Sequence, residues 1–173
     1  MIFFILALSS FTLTSCKVFF VPHSHNDVGW ILTPLDYYNS SSKHILSNMI
    51  LLLESFPSLK FCWAEVYFLQ LWLEEYPEQV EVIKELIKSG RFEIIGGGWV
   101  QNDEATADLE LIVRQMETGF DYLKKTLEIE KIRVAWQLDP FGHSLLTASL
   151  FEKFGFEVLV FARMESKKKV KTT

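Results

Sequence analysis

Along residues 17–163, short apolar runs alternate with longer stretches whose apolar positions recur every three or four residues. The short runs, rich in Val, Ile, Phe and Trp, read as buried strands, and the longer stretches as amphipathic helices. The strands are predicted at Lys17–Val21, Lys60–Glu65, Phe92–Ile95, Lys131–Leu138 and Glu157–Ala162. The first helix starts at Pro34 or Tyr37 and ends at Ser55, with Ile45, Met49, Leu52 and Leu53 at helical spacing. Val66–Tyr76 is a second helix. Pro77–Lys88 is a third, opened by a proline suited to a first turn and stopped by Ser89-Gly90. Ala107–Leu127 carries Leu111, Gln115, Thr118 and Tyr122 through its turns, and Ser144–Phe154 is the last helix. No internal repeat or linker divides the sequence.

Strands apolar on both faces, alternating with helices, predict the α/β class: a parallel sheet or barrel covered by helices. In such folds the ligand site lies at the carboxyl ends of the strands. The predicted ends carry His23 to Asp27, Trp63 and Glu65, Gly96 to Glu104, Asp139 to His143, and Arg163. Every polar cluster falls on one rim, which predicts a single active site.

Composition narrows the classes further. With 173 residues and 49% apolar content the chain can build one core, and a net charge of −5 argues against a nucleic-acid binder. The basic cluster at Lys167–Lys169 and Lys171 reads as a solvated tail over 164–173. Residues 1–16 combine an apolar block with small residues before Cys16, the shape of a signal peptide and too short to be a stable membrane span. That reading places the protein in the lumen of the secretory pathway (lysosome, Golgi or secreted); an extra buried strand or a fraying terminus is the competing one. Asn39-Ser-Ser41 is an N-glycosylation acceptor pattern. Two cysteines make no disulfide framework, and Cys62 reads as a buried, inert thiol.

The chemistry concentrates in two segments. His25 and Asp27 lie two apart in an extended stretch, so their side chains point the same way. An imidazole nitrogen and a carboxylate oxygen so placed suit Zn²⁺, and Asp139, at another strand end, can supply a third ligand. The competing reading has His23 and His25 bonding loop carbonyls while Asp27 caps a turn. Asp139 precedes Pro140, which holds it extended; in apolar surroundings it can be nucleophile, general base, ligand or cap. Trp30, Trp63, Trp99 and Phe141 beside these groups suit the floor of a sugar site, or are simply core. Gly96-Gly-Gly98 lacks the spacing of a dinucleotide fingerprint and marks a tight backbone approach. Asp103-Glu104 are either acid/base groups or the N-terminal charges of the next helix.

Four segments taken together, His23-Ser-His-Asn-Asp-Val-Gly-Trp30, Phe61-Cys-Trp-Ala-Glu65, Gly97-Gly-Trp-Val-Gln-Asn-Asp-Glu-Ala105 and Trp136-Gln-Leu-Asp-Pro-Phe-Gly-His-Ser144, resemble the class II α-mannosidases, glycoside hydrolase family 38. They occur in the family's order over nearly all of residues 17–163. The resemblance implies a parallel seven-stranded β/α barrel-like catalytic domain, of which this chain holds about five β-α units. It implies a zinc-dependent retaining glycosidase acting on terminal α-D-mannosides of oligosaccharides or glycoprotein N-glycans. His25, Asp27 and Asp139 match zinc ligands, and Asp139 also matches the nucleophile that forms a covalent mannosyl-enzyme. Trp30, Phe141 and Arg163 match substrate-binding positions, whereas His23 is in the motif but is not the ligand histidine.

By the same resemblance, the fourth ligand (a histidine) and the general acid (an aspartate) lie beyond Thr173. The 173-residue chain alone is therefore expected to be inactive. The alternatives from other classes are an inactive fragment with weak metal or mannoside binding, and another zinc carbohydrate hydrolase such as a deacetylase. The tryptophan-containing motifs argue against the deacetylase.

Overall fold

The computed structural model describes residues 17–163, so the predicted signal peptide and basic tail lie outside the described residues. Strands β1 (Phe61–Trp63), β2 (Phe92–Ile94), β3 (Val134–Gln137) and β4 (Val158–Phe161) alternate with helices. The helices are α1 (Pro34–Tyr37), α2 (Lys43–Ser55), α3 (Val66–Glu75), α4 (Gln79–Lys88), α5 (Leu109–Leu127) and α6 (Leu145–Lys153). A π-helical turn, Tyr38–Ser42, joins α1 to α2.

Both strand pairs are parallel, β1 with β2 and β3 with β4, with Phe61 opposite Phe92 and Val134 opposite Val158. The pairs touch where the Gly96 N–H donates to the Val134 carbonyl at 2.8 Å. On the far side of β1, Cys62 donates to the Pro22 carbonyl at 2.9 Å and bridges His23 in the parallel sense. The lateral order from His23 through β4 is therefore the order along the chain.

The described residues form two small parallel sheets, and one expectation needs correction. The predicted first strand, Lys17–Val21, is not a strand: only its carboxyl-terminal neighbours Pro22 and His23 reach β1. Its apolar side chains stand exposed, Phe19 at 82% and Phe20 at 90%.

The core follows the strand alternation. Phe61, Trp63, Phe92 and Ile94 pack with α2, α3 and α4 through Leu46, Leu53, Phe68, Leu69 and Ile83. Cys62, Ile95 and Trp136 belong to a second cluster. Met116, Ala135 and Phe151 join α5, β3 and α6. Strands β1 and β3 are thus covered on both faces, as their sequence required, whereas Glu93 of β2 stays exposed. No described helix is long and apolar enough to cross a membrane.

Helix phasing differs from the sequence reading in two places. The π turn inserts an extra residue, and α2 buries Leu46, Ile50 and Leu53 while Leu52 turns outward. Helix α5 buries Ile112, Met116, Gly119, Leu123 and Leu127, with Leu111 and Thr118 exposed. The cause is the Gly96–Gly98 turn, which runs directly against α5. A Cβ on Gly119 would stand 2.1 Å from the Gly97 carbonyl oxygen, so the helix must present glycine there. The tight approach expected of the three glycines is real, and its partner is a fourth.

Gly119→Ala is expected to cost about 3 kcal/mol, because backbone on both sides of the contact must move. Gly155→Ala should cost only about 1 kcal/mol: its φ is +83°, but nothing lies within 4 Å of the added carbon. Urea unfolding of both variants checks the ranking. Cys62 gives a second test. Burial pushes its thiol up from 9.0 to about 11. Alkylation by iodoacetamide at pH 8 should run about 100-fold slower than for a free thiol and keep rising towards pH 11. A rate that levels off near pH 9 would contradict this.

Candidate active site

The segment after His23 is held by its middle residue. Asn26 is buried, and its backbone N–H donates to Glu65 Oε1 at 3.0 Å. Its side-chain Oδ1 accepts from the Ser42 hydroxyl at 3.2 Å, from the π turn. With Asn26 turned inward, the residues on either side project the opposite way. His25 Nε2 accordingly lies 3.4 Å from Asp27 Oδ1. His23 is held elsewhere, with its Nδ1 3.1 Å from the Ser24 carbonyl and its ring edge-on to Trp136.

Asp139 arrives from the end of β3. Its Oδ2 lies 3.6 Å from His25 Nε2, and its Oδ1 accepts from Arg163 Nη2 at 2.7 Å. The Arg163 guanidinium also lies over the Phe141 ring, 4.4 Å from its centroid, a cation–π contact that fixes the cation beside the carboxylate. His25, Asp27, Asp139 and Phe141 line a cleft of about 100 Å³ with Gln101, Asn102 and Asp103. Trp30 does not line this cleft; its indole is 75% exposed.

The donor set suits a metal ion. One atom from each of His25, Asp27 and Asp139 lies within 4.8 Å of the others. Ligands about 2.1 Å from a tetrahedral zinc stand about 3.4 Å apart, close to both distances measured from His25 Nε2. One imidazole nitrogen with two carboxylate oxygens is a borderline set that zinc accepts.

Comparison with known proteins identifies the scaffold. The sequence profile of the glycosyl hydrolases family 38 N-terminal domain matches residues 15–173. The chain belongs to that family. It is similar to alpha-mannosidase C of Dictyostelium discoideum, 41% identical over 152 residues, which are 87% of this chain and 14% of the relative. It is likewise similar to alpha-mannosidase 2 of Mus musculus, 40% identical over 150 residues, 86% of this chain and 13% of the relative. The chain thus spans only about one seventh of the length of these relatives. Among solved structures, an alpha-mannosidase from Enterococcus faecalis V583 superimposes with a TM-score of 0.70 at 23% identity, covering 82% of this chain and 16% of the other. A 4-alpha-glucanotransferase from Thermococcus litoralis gives 0.61 at 21% identity, covering 82% and 22%. At those identities the likeness is one of fold.

Within this family 38 domain, some strand-end residues do work other than that expected of them. Trp63 is wholly buried, and its Nε1 donates to the Glu65 carbonyl at 2.8 Å. Trp99 packs edge-on against Tyr67 and Tyr122. Both are packing residues, leaving Trp30 and Phe141 as the exposed aromatics of the four considered. Glu104 does not line the cleft, and Asp108 rather than Glu104 caps α5. Its carboxylate accepts from the Ser144 N–H at 2.7 Å and meets His143 Nδ1 at 2.9 Å, closing the loop between Asp139 and α6.

Sequence reasoning passed over Gln101, Asn102 and Ser42. Gln101 donates to Glu65, and Gln115 Nε2 donates to Asn102 Oδ1 at 3.1 Å. Gln101 and Asn102 could have been flagged by their place between Trp99 and Asp103 at a strand end. Nothing in the sequence points to Ser42. Burial pushes the Glu65 carboxyl above the usual range, against the hydrogen bonds it accepts. Its Oε2 has no hydrogen-bond partner among the described residues.

Glu104→Ala is expected to cost about 1–3 kcal/mol, because the Ser144 N–H loses its acceptor in a part of the structure where the Glu104 side chain is only 4% exposed. Chemical denaturation measures the loss. A change of a few tenths of a kcal/mol would show that the loop holds itself.

Proposed function

We propose that this chain is the amino-terminal part of the catalytic domain of a zinc-dependent retaining α-mannosidase. In that enzyme the strand order seen here continues into a seven-stranded barrel-like domain. The observation that carries the reading is the meeting of His25, Asp27 and Asp139, with Arg163 on the free oxygen of Asp139. The substrate class is a terminal α-D-mannoside of an oligosaccharide or glycoprotein N-glycan. The supports for that class are the alpha-mannosidase relatives and the exposed Phe141 ring at the cleft.

His25, Asp27 and Asp139 Oδ2 would hold the zinc. When bound, the ion would orient sugar hydroxyls and stabilise charge developing on the ring. Asp139 attacks the anomeric carbon: a carboxylate oxygen bonds to that carbon while its bond to the leaving oxygen breaks. A general acid beyond this chain protonates the leaving oxygen. Water then cleaves the mannosyl ester and restores the Asp139 carboxylate. Arg163 positions Asp139 throughout, and the Phe141 ring under the guanidinium keeps that cation from swinging away. We further propose residues 1–16 as a signal peptide and the secretory pathway lumen as the site of action. Asn39 of the glycosylation pattern is exposed, as that route requires.

Titration of the chain with zinc is expected to show one ion bound, with Asp27→Ala weakening it by at least about tenfold. Joined to the remaining length of an alpha-mannosidase relative, the domain should hydrolyse p-nitrophenyl α-mannoside. Asp139→Asn should lower kcat on the order of 1,000-fold or more. Turnover retained by that variant would remove Asp139 as nucleophile. The 173-residue chain alone should show no turnover, and activity from it would overturn the expectation that groups beyond Thr173 are needed.

A further inference from the structure

The Glu65 side chain is 0% exposed and stands outside the cluster of three candidate metal donors. Its Oε1 accepts from the Asn26 backbone N–H at 3.0 Å and from the Gln101 side-chain amide. Asn26 lies between His25 and Asp27, and Gln101 lines the cleft from the loop after β2. One buried oxygen at the end of β1 thereby joins the segment bearing two metal donors to the opposite wall.

We propose that Glu65 is the positioning residue of the metal site. By holding the Asn26 amide inward, it fixes the alternation that sends His25 and Asp27 out together. This rests on the metal reading given above.

The geometry favours an anchor over the other uses of a buried carboxyl. Glu65 is not a fourth ligand, because it lies outside the donor cluster. Glu65 ties three pieces together: β1's end, the His25–Asp27 segment and the post-β2 loop. Ser42 completes the arrangement by holding Asn26 Oδ1 at 3.2 Å from the helical side. Asn26 is therefore fixed at backbone and side chain, and its neighbours are left free to coordinate. What matters is an acceptor oxygen at that point, not its charge. A glutamine can keep a carbonyl oxygen there, and a leucine of similar bulk cannot.

The test is zinc affinity, measured by competition with a chromophoric chelator, together with hydrogen exchange of the Asn26 amide. Glu65→Leu is expected to weaken zinc binding about 10- to 100-fold, as loss of an outer partner of a metal site commonly does. Glu65→Gln should stay within about threefold of wild type. In the wild-type chain the Asn26 amide should exchange far more slowly than those of the exposed neighbouring loop, with or without zinc. Unchanged affinity in Glu65→Leu, or equal loss in Glu65→Gln and Glu65→Leu, overturns the anchor while leaving the metal site standing. Should Glu65→Leu not fold, fast exchange of the wild-type Asn26 amide overturns it alone. A wild-type chain that binds no zinc removes the metal reading, and the proposal with it.

Discussion

The site depends on one backbone hydrogen bond, from the Asn26 amide to the Glu65 carboxylate. An extended chain places alternate side chains on opposite sides, so only one parity of the His23–Asp27 segment can face the cleft. Burying Asn26 selects that parity. The consequence extends beyond two residues, because the same segment meets β1 through Pro22 and His23, which sets its height on the sheet. A slip of one residue would turn Asn26 to the cleft and bury His25 and Asp27, two polar groups without partners.

The other half of the site is built differently. Asp139 stands on a loop begun by Gln137 of β3 and ended by Ser144, the N-cap of α6. Glu104 fixes the far end of that loop, and Arg163, following β4, fixes the carboxylate itself. Three consecutive β-ends thus contribute, through the loops after β2, β3 and β4. The donors on the His23–Asp27 segment come from the opposite end of the strand order. The cleft draws its walls from that segment and from the loops after β2 and β3.

The sequence revealed the fold class and the rim because both follow from short-range rules. Apolar runs of strand length, helical spacing and polar strand ends need no tertiary knowledge. It misjudged features set by long-range contact. The face of α5 is decided by the Gly97 carbonyl, about twenty residues away, which admits only Gly119. Lys17–Val21 has ideal strand composition, but only the following Pro22 and His23 meet β1, and Phe19 and Phe20 stay exposed. Trp63 and Trp99 look identical to Trp30 in composition, and only packing separates a core indole from one facing water. Glu65 was visible as a polar rim residue, but its orientation towards Asn26 rather than the cleft was not.

The orientation of Glu65 bears on why the rim is so polar. Counting charges at the strand ends suggests a crowded centre, yet the carboxylates there divide their labour. Glu65 and Glu104 hold loops, and the half-exposed Asp27 and Asp139 face the cleft. This division is physically sensible. A carboxylate that must bind an ion or attack a substrate has to be reached from solvent. One that must keep a loop in place gains from burial, where its hydrogen bonds meet no competition from water. Exposure therefore separates the cleft-facing carboxylates from the loop-holding ones in this domain, where sequence position cannot.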